Sequence, residues 1–341
     1  MAQCRDEALI WWDERVAAAL PGPDVTLADL GEFGLIDHVR GIVEEVAPGE
    51  DVLVGPGDDA AVLRVRKGHV VVSTDLMVEG RHFRREWADA VDVGHRAAAQ
   101  NLSDVNAMGG RATWLTVGMA APPTLPAQWA LDFVRGFAEE CAEVGAGLVG
   151  GDVTSADQLT FAVTVLGACT TAPVLRSGAQ AGDVVAICGR QGWAAGGLAV
   201  LGRGFRSPRV LVDAYRRPQP PYDAGPAAAE AGATAMIDVS DGLLADLAHV
   251  ARASEVGIDV QRSSFEVPEP LVAVAAATGA DPMQFILGGG DDHALVATFP
   301  EGPTLPEGWA RIGTVRDAAP EAPAVTVDGA PYDGPSGWTH F

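Results

Sequence analysis

The chain has 341 residues, of which 48% are hydrophobic, and its formal net charge at pH 7 is -23. This length and composition predict a globular protein with a sizeable core and room for two domains. The negative charge argues against proteins that bind nucleic-acid backbones or anionic membrane surfaces, and the single lysine, Lys67, excludes a Walker-type phosphate loop.

In the first half of the chain, the sequence predicts an N-terminal extension followed by an α/β unit. Residues 1–30 form the extension, because "ALPGPDV" interrupts a short helical stretch and the main fold begins near Gly31. Helical spacing of apolar residues predicts two helices, one with Leu35, Val39, Ile42 and Val46 on its buried face and one with Leu131, Val134, Ala138 and Cys141. An alanine-rich helix is predicted from Asp92 to Gly109. The predicted strands are "AAVLRV", "HVVVSTD", "TWLTVGMA", "GLVGGD" and "LTFAVTVLGAC".

A change of composition at "TTAPVLRSGAQAGD" predicts a domain boundary. Residues 31–170 are then the N-terminal domain and residues 171–341 the C-terminal domain, which opens with the strand "VVAICG". Within it, "MIDVSDG" leads into a helix whose buried face carries Leu243, Leu247, Val250 and Ala251. Because strands and helices do not alternate evenly, the sequence favours a mixed α+β fold over a doubly wound sheet.

The cysteines and the hydropathy pattern bear on where the protein acts. The four cysteines, Cys4, Cys141, Cys169 and Cys188, lack the spacing of a zinc site and indicate free thiols in a reducing compartment. No stretch of about 18 apolar residues and no signal-peptide core are present. We therefore expect a cytoplasmic protein.

A pattern of glycine and paired aspartates occurs twice, as "GPGDDAAVL" and "GGGDDHALV". Either copy alone is more often a simple turn. Further aspartates stand beside glycine or at predicted strand ends, and the whole set is Asp58, Asp59, Asp75, Asp104, Asp152, Asp238, Asp241, Asp291 and Asp292. If these carboxylates converge, they repel one another unless cations lie between them. Oxygen ligands of this kind suit Mg²⁺, so the set predicts a site for a magnesium-bound polyphosphate.

Eight motifs occur in the order found in the thiamine-monophosphate kinase family, which the chain resembles from about Gly31 to Phe341. They are "GPGDDAAVL", "STDLMVEGRHF", "NLSDVNAMGG", "GGDVT", "RSGAQAGD", "IDVSDGLLADL", "GGGDDHAL" and "GWTHF". The resemblance implies the fold shared with aminoimidazole ribonucleotide synthetase and selenophosphate synthetase. In that fold the N-terminal domain completes a β-barrel across a homodimer interface, and a C-terminal α/β domain follows. It also implies an enzyme of thiamine biosynthesis that transfers the γ-phosphoryl group of ATP to thiamine monophosphate, giving thiamine diphosphate.

The resemblance also implies roles for individual residues. Ligands of several Mg²⁺ ions or of magnesium-bound phosphate are Asp59, Ser73, Thr74, Asp75, Asp104, Asp152, Asp238 and Asp241. Among these, the residues expected to act in catalysis are Asp59, Asp75, Asp104 and Asp241, while direct ligation by Asp58 stays open. ATP contacts are implied for Gly151, Asp152, Arg176 and Ser240, and thiamine contacts for His82, Asp291 and Trp338. Asp291 stands where some relatives have glutamate, and residues 1–30 have no counterpart.

Alternatives remain at two levels. For single residues, His82 could be a buried core histidine and Trp338 a core-filling side chain. For the whole protein, the chain could be another ATP-dependent enzyme of the same superfamily with a different acceptor, or a nucleotide or metal sensor without catalysis. The kinase mechanism suits the residues, because the attacking phosphate oxygen is already an anion at pH 7 and needs no general base. Metal ions and Arg176 would offset the repulsion between the two phosphates.

Overall fold

The computed structural model describes residues 52–54, 61–65, 68–302, 304–318 and 324–339. These ranges contain two six-stranded sheets and eight α-helices. The predicted extension, the predicted helix with Leu35 and Val46, and the first Asp-Asp turn with Asp58 and Asp59 lie outside the described residues.

The N-terminal sheet has the strand order β1-β2-β3-β6-β4-β5. Its strands are β1 (Val52–Val54), β2 (Ala61–Val65), β3 (Gly68–Val78), β4 (Arg111–Ala121), β5 (Gly147–Ser155) and β6 (Thr160–Cys169). Helix α1 (Ala90–Ala107) joins β3 to β4, and helix α2 (Ala127–Glu143) joins β4 to β5. The β4–β5 pair is parallel and the other pairs are antiparallel, which confirms the mixed fold.

One face of this sheet is covered by α1 and α2. Strand β6 alternates along its length, with Phe161, Val163 and Val165 buried against the helices. The rings of Phe133 on α2 and Phe161 are stacked with their centroids 4.0 Å apart. Burial of aromatic and branched side chains on one face is the main stabilising contribution in such a layer.

The predicted buried face of α2 is wrong. Phe133 and Phe137 are buried, together with the predicted Cys141, whereas Leu131, Val134 and Ala138 are exposed. Apolar residues surround most of this helix, so helical spacing alone fits two faces, and the larger aromatic rings occupy the core.

The other face of the N-terminal sheet, here called the open face, is covered by no described element. Leu76 on β3 and Trp114 on β4 are 58% and 56% exposed there. Thr74 belongs to this face, because its hydroxyl is 2.8 Å from that of Thr164 on β6. A sheet face that exposes large apolar side chains to water is a candidate for association.

The second sheet has the order β12-β9-β11-β7-β10-β8. Its strands are β7 (Val184–Cys188), β8 (Ala235–Asp238), β9 (Val256–Val260), β10 (Leu295–Phe299), β11 (Trp309–Asp317) and β12 (Val325–Val327). The helices of this half are α3 (Trp193–Gly202), α4 (Arg209–Arg216), α5 (Ala224–Glu230), α6 (Leu243–Ala253), α7 (Glu269–Thr278) and α8 (Pro282–Leu287).

The core of the second half contains the predicted face of α6. The four residues Leu243, Leu247, Val250 and Ala251 are all buried, as their spacing predicts. The N-terminal sheet ends at Cys169 and the second sheet begins at Val184. The domain boundary after residue 170 stays a prediction.

Polar contacts join the segment after α4 to the helices of the first half. The Arg217 side chain donates to Asp92 on α1 at 2.6 Å, and the Tyr222 hydroxyl donates to Glu140 on α2 at 2.5 Å. Glu140 also contacts His95 on α1 at 2.8 Å. This hydrogen bond raises the pKa of His95 above 6.5, although burial and the charge of Arg217 act in the opposite direction. The contacts fix α1 between the two sheets.

The described cysteines, Cys141, Cys169 and Cys188, are buried and form no disulfide. Burial raises the pKa of the Cys141 thiol to about 12. None of the helices in the described ranges combines the length and the apolar character needed to cross a membrane.

Candidate active site

One face of α1 carries four polar side chains that contact residues of three different predicted motifs. Arg96, Gln100, Ser103 and Asp104 are spaced by four, seven and eight residues, which places them on one side of a helix with 3.6 residues per turn. Polar side chains are costly to bury without partners. Each of these has a partner, and the partners are residues from the sequence-predicted site.

Strand β3 faces this side of α1. Ser73 donates a hydrogen bond to Asp104 at 2.6 Å, and Gln100 donates to Asp75 at 3.1 Å. Two residues along a strand and four along a helix both advance about 6–7 Å, so the two pairs are in register. Alternate strand residues point to opposite faces, so the Thr74 hydroxyl points to the open face and only its carbonyl could join this group.

Asp238, at the end of β8, joins α1 to the second sheet. Its Oδ2 atom accepts a hydrogen bond from Ser103 at 2.8 Å and lies 2.9 Å from Nδ1 of His293. Asp238 and His293 are both buried. Burial alone would lower the pKa of His293, but the hydrogen bond and charge of Asp238 outweigh it, so its pKa is raised.

The loop Ser240–Gly242 is held by a carboxylate that follows it. Oδ2 of Asp246, in the first turn of α6, accepts the backbone N–H groups of Ser240, Asp241 and Gly242 at 3.0–3.1 Å. Burial and the nearby charge of Asp241 raise the pKa of Asp246 well above its usual range. Neither Ser240 nor Asp241 caps α6, because that helix has no side-chain cap.

The same loop contacts the second Asp-Asp turn and the C-terminal segment. The Asp291 N–H donates to the Ser240 carbonyl, and the Trp338 N–H donates to the Asp241 carbonyl, both at 2.9 Å. Gly242 has φ +146°, and a Cβ on it would lie 2.7 Å from the Gly288 carbonyl. A glycine is required where these segments approach so closely, which explains why the three motifs meet.

Asp291 and Trp338 border this loop. Asp291 is in the left-handed region, with φ +65°, and its Oδ2 is 2.8 Å from Nη2 of Arg96. Trp338 is 60% exposed. The alternative in which Trp338 fills the core of this chain is therefore wrong.

Arg176 lies near α6. Its charge acts on Asp246 and on His249 of α6. Burial, Arg176 and Arg252 together lower the pKa of His249 to about 4. The imidazole is thus neutral at pH 7.

Like the Thr74 hydroxyl, three further predicted residues are not brought to the α1 face. Asp152 on β5 pairs with Gly118, in the row of Ala162 and Leu76, so its side chain is on the open face. Strand β5 is three strands from β3, roughly 14 Å away, and Gly151 precedes Asp152. His82 lies in the turn after β3, half-buried, where its Nδ1 accepts a hydrogen bond from the Val78 N–H at 2.9 Å.

The described ranges contain no group of three or more His, Cys, Asp or Glu side chains that could hold a metal ion. Asp59, a predicted ligand, lies outside these ranges. The pairs formed by Ser73 with Asp104 and by Gln100 with Asp75 nevertheless supply hard oxygen donors at one place. Such donors are the chemistry that Mg²⁺ requires.

Five residues of this arrangement were missed from the sequence: Arg96, Gln100, Ser103, Asp246 and His293. A signal existed for the first three, because they are polar residues at helical spacing on an alanine-rich helix. Asp246 and His293 lie within two of the eight motifs, but the resemblance implies roles only for other residues of those motifs.

Comparisons with known proteins agree with this architecture. Residues 57–169 match the family model described as AIR synthase related protein, N-terminal domain, and residues 180–301 match the corresponding C-terminal domain. The chain is 48% identical over 319 residues to the thiamine-monophosphate kinase of Mycobacterium tuberculosis, covering 93% of each chain. The protein belongs to the thiamine-monophosphate kinase family. The family resemblance of the eight motifs is thereby confirmed.

Other members of the thiamine-monophosphate kinase family match almost as fully. The Corynebacterium glutamicum enzyme is 38% identical over 327 residues, covering 93% of this chain and 95% of its own. The solved structure described as AaThiL complexed with AMPPCP and TMP has a TM-score of 0.85 and 30% identity, covering 94% of this chain and all of that one. The two-domain family fold is therefore confirmed.

Proposed function

We propose that this protein transfers the γ-phosphoryl group of ATP to thiamine monophosphate and releases thiamine diphosphate and ADP. The observation that carries the proposal is the α1 face. Two side chains of this helix, Gln100 and Arg96, hold the carboxylates of Asp75 and Asp291. Asp75 is a proposed magnesium ligand, and Asp291 is a proposed contact of the thiamine substrate. The names of the relatives and the nucleotide analogue and TMP bound to the AaThiL structure support the same activity.

The reaction joins two anions. An oxygen of the acceptor monophosphate forms a bond to the γ-phosphorus of ATP while the bond to the β,γ-bridging oxygen breaks, and ADP leaves with that oxygen. Since the attacking oxygen is already ionised at pH 7, the site needs no base. Its tasks are to align the two phosphates and to neutralise their charge.

Magnesium is part of the proposal. Asp75, Asp104 and Ser73 are the described residues that would hold it with Asp59, and Asp241 and Asp238 would contribute from the second half. When bound, Mg²⁺ neutralises phosphate charge and orients the phosphate oxygens. Asp238 already accepts hydrogen bonds through Oδ2, so Oδ1 is its available ligand atom.

The nucleotide and the acceptor are assigned to different sets of residues. Arg176 and Ser240, with Gly151 and Asp152, would contact ATP. Arg176 suits this task because its guanidinium stays charged and binds phosphate through two N–H groups.

His82, Asp291 and Trp338 would hold the acceptor. The exposed Trp338 ring supports this role, because an indole face is a good partner for a cationic ring.

A homodimer belongs to the same proposal. The open face exposes Leu76 and Trp114 and carries Asp152, and a second copy packed on it would bury these apolar side chains and put Asp152 at the interface. Light scattering at micromolar concentration should report about twice the 35.2 kDa chain mass. Trp114→Glu should shift this mass towards the monomer, and an active wild-type monomer would contradict the proposal.

We also propose a cytoplasmic location. Buried free thiols at Cys141, Cys169 and Cys188 are typical of a reducing compartment. ATP as co-substrate is available in the same compartment.

ADP release with ATP, Mg²⁺ and thiamine monophosphate tests the activity. Turnover that needs thiamine monophosphate, together with thiamine diphosphate as the product by mass spectrometry, supports the proposal. ADP release that ignores thiamine monophosphate and responds to another phosphorylated acceptor would indicate a different enzyme of the superfamily. Nucleotide binding with no turnover would indicate a sensor.

A further inference from the structure

Arg96 is a buried arginine held from three sides. Its side chain is 7% exposed, Nη1 donates to the Tyr215 carbonyl at 2.7 Å, and its guanidinium carbon lies 4.6 Å from the centre of the Tyr215 ring. Nη2 is 2.8 Å from Oδ2 of Asp291. A guanidinium stays protonated at any working pH. Its burial therefore requires the carboxylate of Asp291, and that requirement fixes where Asp291 lies.

The side chains of Asp291 and Arg96 differ in their exposure to solvent. That of Asp291 is 43% exposed, whereas that of Arg96 is buried. The left-handed backbone at Asp291 and the hydrogen bond from its N–H to Ser240 hold the carboxylate between Arg96 and solvent. A ligand that contacts Asp291 therefore meets a carboxylate whose negative charge is already balanced by the buried Arg96.

This balance discriminates between the two rings of thiamine. A cationic ring beside Asp291 would be attracted by the carboxylate and repelled by the guanidinium of Arg96 a few ångströms farther away, so roughly half of the gain would be lost. A neutral N–H donor meets no such opposition, and its hydrogen bond to a carboxylate is charge-assisted. The pair thus selects a hydrogen-bond donor over a cation.

We infer that Arg96 is a positioning residue that makes Asp291 the hydrogen-bond acceptor for the aminopyrimidine ring of the acceptor substrate, rather than the counter-ion of its thiazolium ring. The cationic ring is left to the exposed indole of Trp338, which borders the same loop. This inference rests on the proposed kinase activity. It assigns a separate recognition element to each ring.

The test compares three acceptors with the wild type and Asp291→Ala. The acceptors are thiamine monophosphate, an analogue in which oxygen replaces the pyrimidine amino group, and an analogue in which a neutral thiophene replaces the thiazolium ring. In the wild type, loss of the amino group should lower kcat/KM about 10- to 100-fold, the range for a hydrogen bond to a charged group. In Asp291→Ala this penalty should fall to about 3-fold or less, while the penalty for the neutral thiophene stays the same.

Arg96 supplies the second arm. In Arg96→Met the charge of Asp291 is no longer balanced, so the penalty for the neutral thiophene should rise at least about 3-fold above that of the wild type, from the removed repulsion. Arg96→Lys keeps the charge and should retain the wild-type discrimination even where its overall kcat/KM is lower. The matched control is Arg111→Met, because Arg111 forms an exposed ion pair with Asp223 and should behave as wild type.

The possible results distinguish this inference from its alternatives. If Asp291→Ala removes the thiophene penalty and keeps the amino penalty, Asp291 is the counter-ion and the inference is wrong. Unchanged penalties for both analogues in Asp291→Ala overturn it as well, because Asp291 then contacts neither ring. If the alanine variant does not fold, Asp291→Asn removes the charge but retains a carbonyl oxygen for the amino group. It should then keep the thiophene penalty of the wild type, and loss of that penalty would identify Asp291 as the counter-ion. A wild type that fails to convert thiamine monophosphate would refute the proposed function itself.

Discussion

Asp246→Ala tests whether the Ser240–Gly242 loop depends on a buried carboxylate. The Oδ2 atom of Asp246 accepts three backbone N–H groups, and that of Gly242 is buried. Leaving one buried donor unpaired costs about 1–3 kcal/mol, while the other two regain water. For a chain of this size we expect Tm to fall by roughly 3–10 °C. Because Ser240 and Asp241 lose their support, kcat/KM should fall about 100-fold.

Thermal unfolding and steady-state kinetics on the same preparations measure both effects. Asp246→Asn keeps an oxygen acceptor and should recover most of the stability. Asp223→Ala, at a side chain that is 89% exposed, should leave both quantities unchanged. Wild-type stability in Asp246→Ala would refute the structural reasoning, and lower Tm with wild-type kcat/KM would refute the link to catalysis.

Three further predictions follow from individual contacts. Asp75→Asn should lower kcat at least about 100-fold at saturating ATP and Mg²⁺, because charge stabilisation at the transferring phosphate is lost; wild-type turnover would reject its role as a ligand. Trp338→Ala should raise KM for thiamine monophosphate roughly 3- to 30-fold and leave KM for ATP and Tm unchanged, since the ring is exposed; equal losses for both substrates would contradict this. His95 has a raised pKa through Glu140, so its stabilising contribution is complete below pH 6.5 and is lost as pH rises through the folded-state pKa. Tm between pH 6 and pH 9 should therefore fall more in the wild type than in His95→Gln, and parallel curves would argue against it.

Strands β2 to β7 and α1 could be predicted because their patterns were unambiguous. Strand β3 contains a β-branched run followed by polar residues, and β6 alternates over its whole length. The meeting of the motifs at Gly242 could be expected from their order in the family, although no local pattern in the sequence indicates that these segments touch. Contacts between distant segments depend on the packing of the whole fold, which a short window of sequence does not contain.

Helix α2 shows why helical periodicity predicted the wrong buried face. Its spacing fits a face with Leu131 and Val134 as well as a face with Phe133 and Phe137, and the two differ by a rotation of the helix. Stacking of Phe133 on Phe161 selects the second face, and Gly136 lets the backbone approach Val91. These are tertiary contacts, so the sequence of the helix alone does not determine which of its faces is buried.

The second Asp-Asp turn shows that a repeated pair of letters need not repeat a role. Asp291 turns towards α1 and pairs with Arg96, whereas the buried Asp292 accepts the Ala194 N–H in the first turn of α3 at 2.9 Å. Burial raises the pKa of Asp292 to about 7, although the hydrogen bond from Ala194 opposes this shift. A left-handed residue followed by an ordinary one sends the two side chains to different helices. In this turn one carboxylate is therefore partly exposed while its neighbour anchors the turn. If Asp291 contacts the acceptor as proposed, the two aspartates should respond differently to substitution: Asp291 in the KM for the acceptor, and Asp292 in stability.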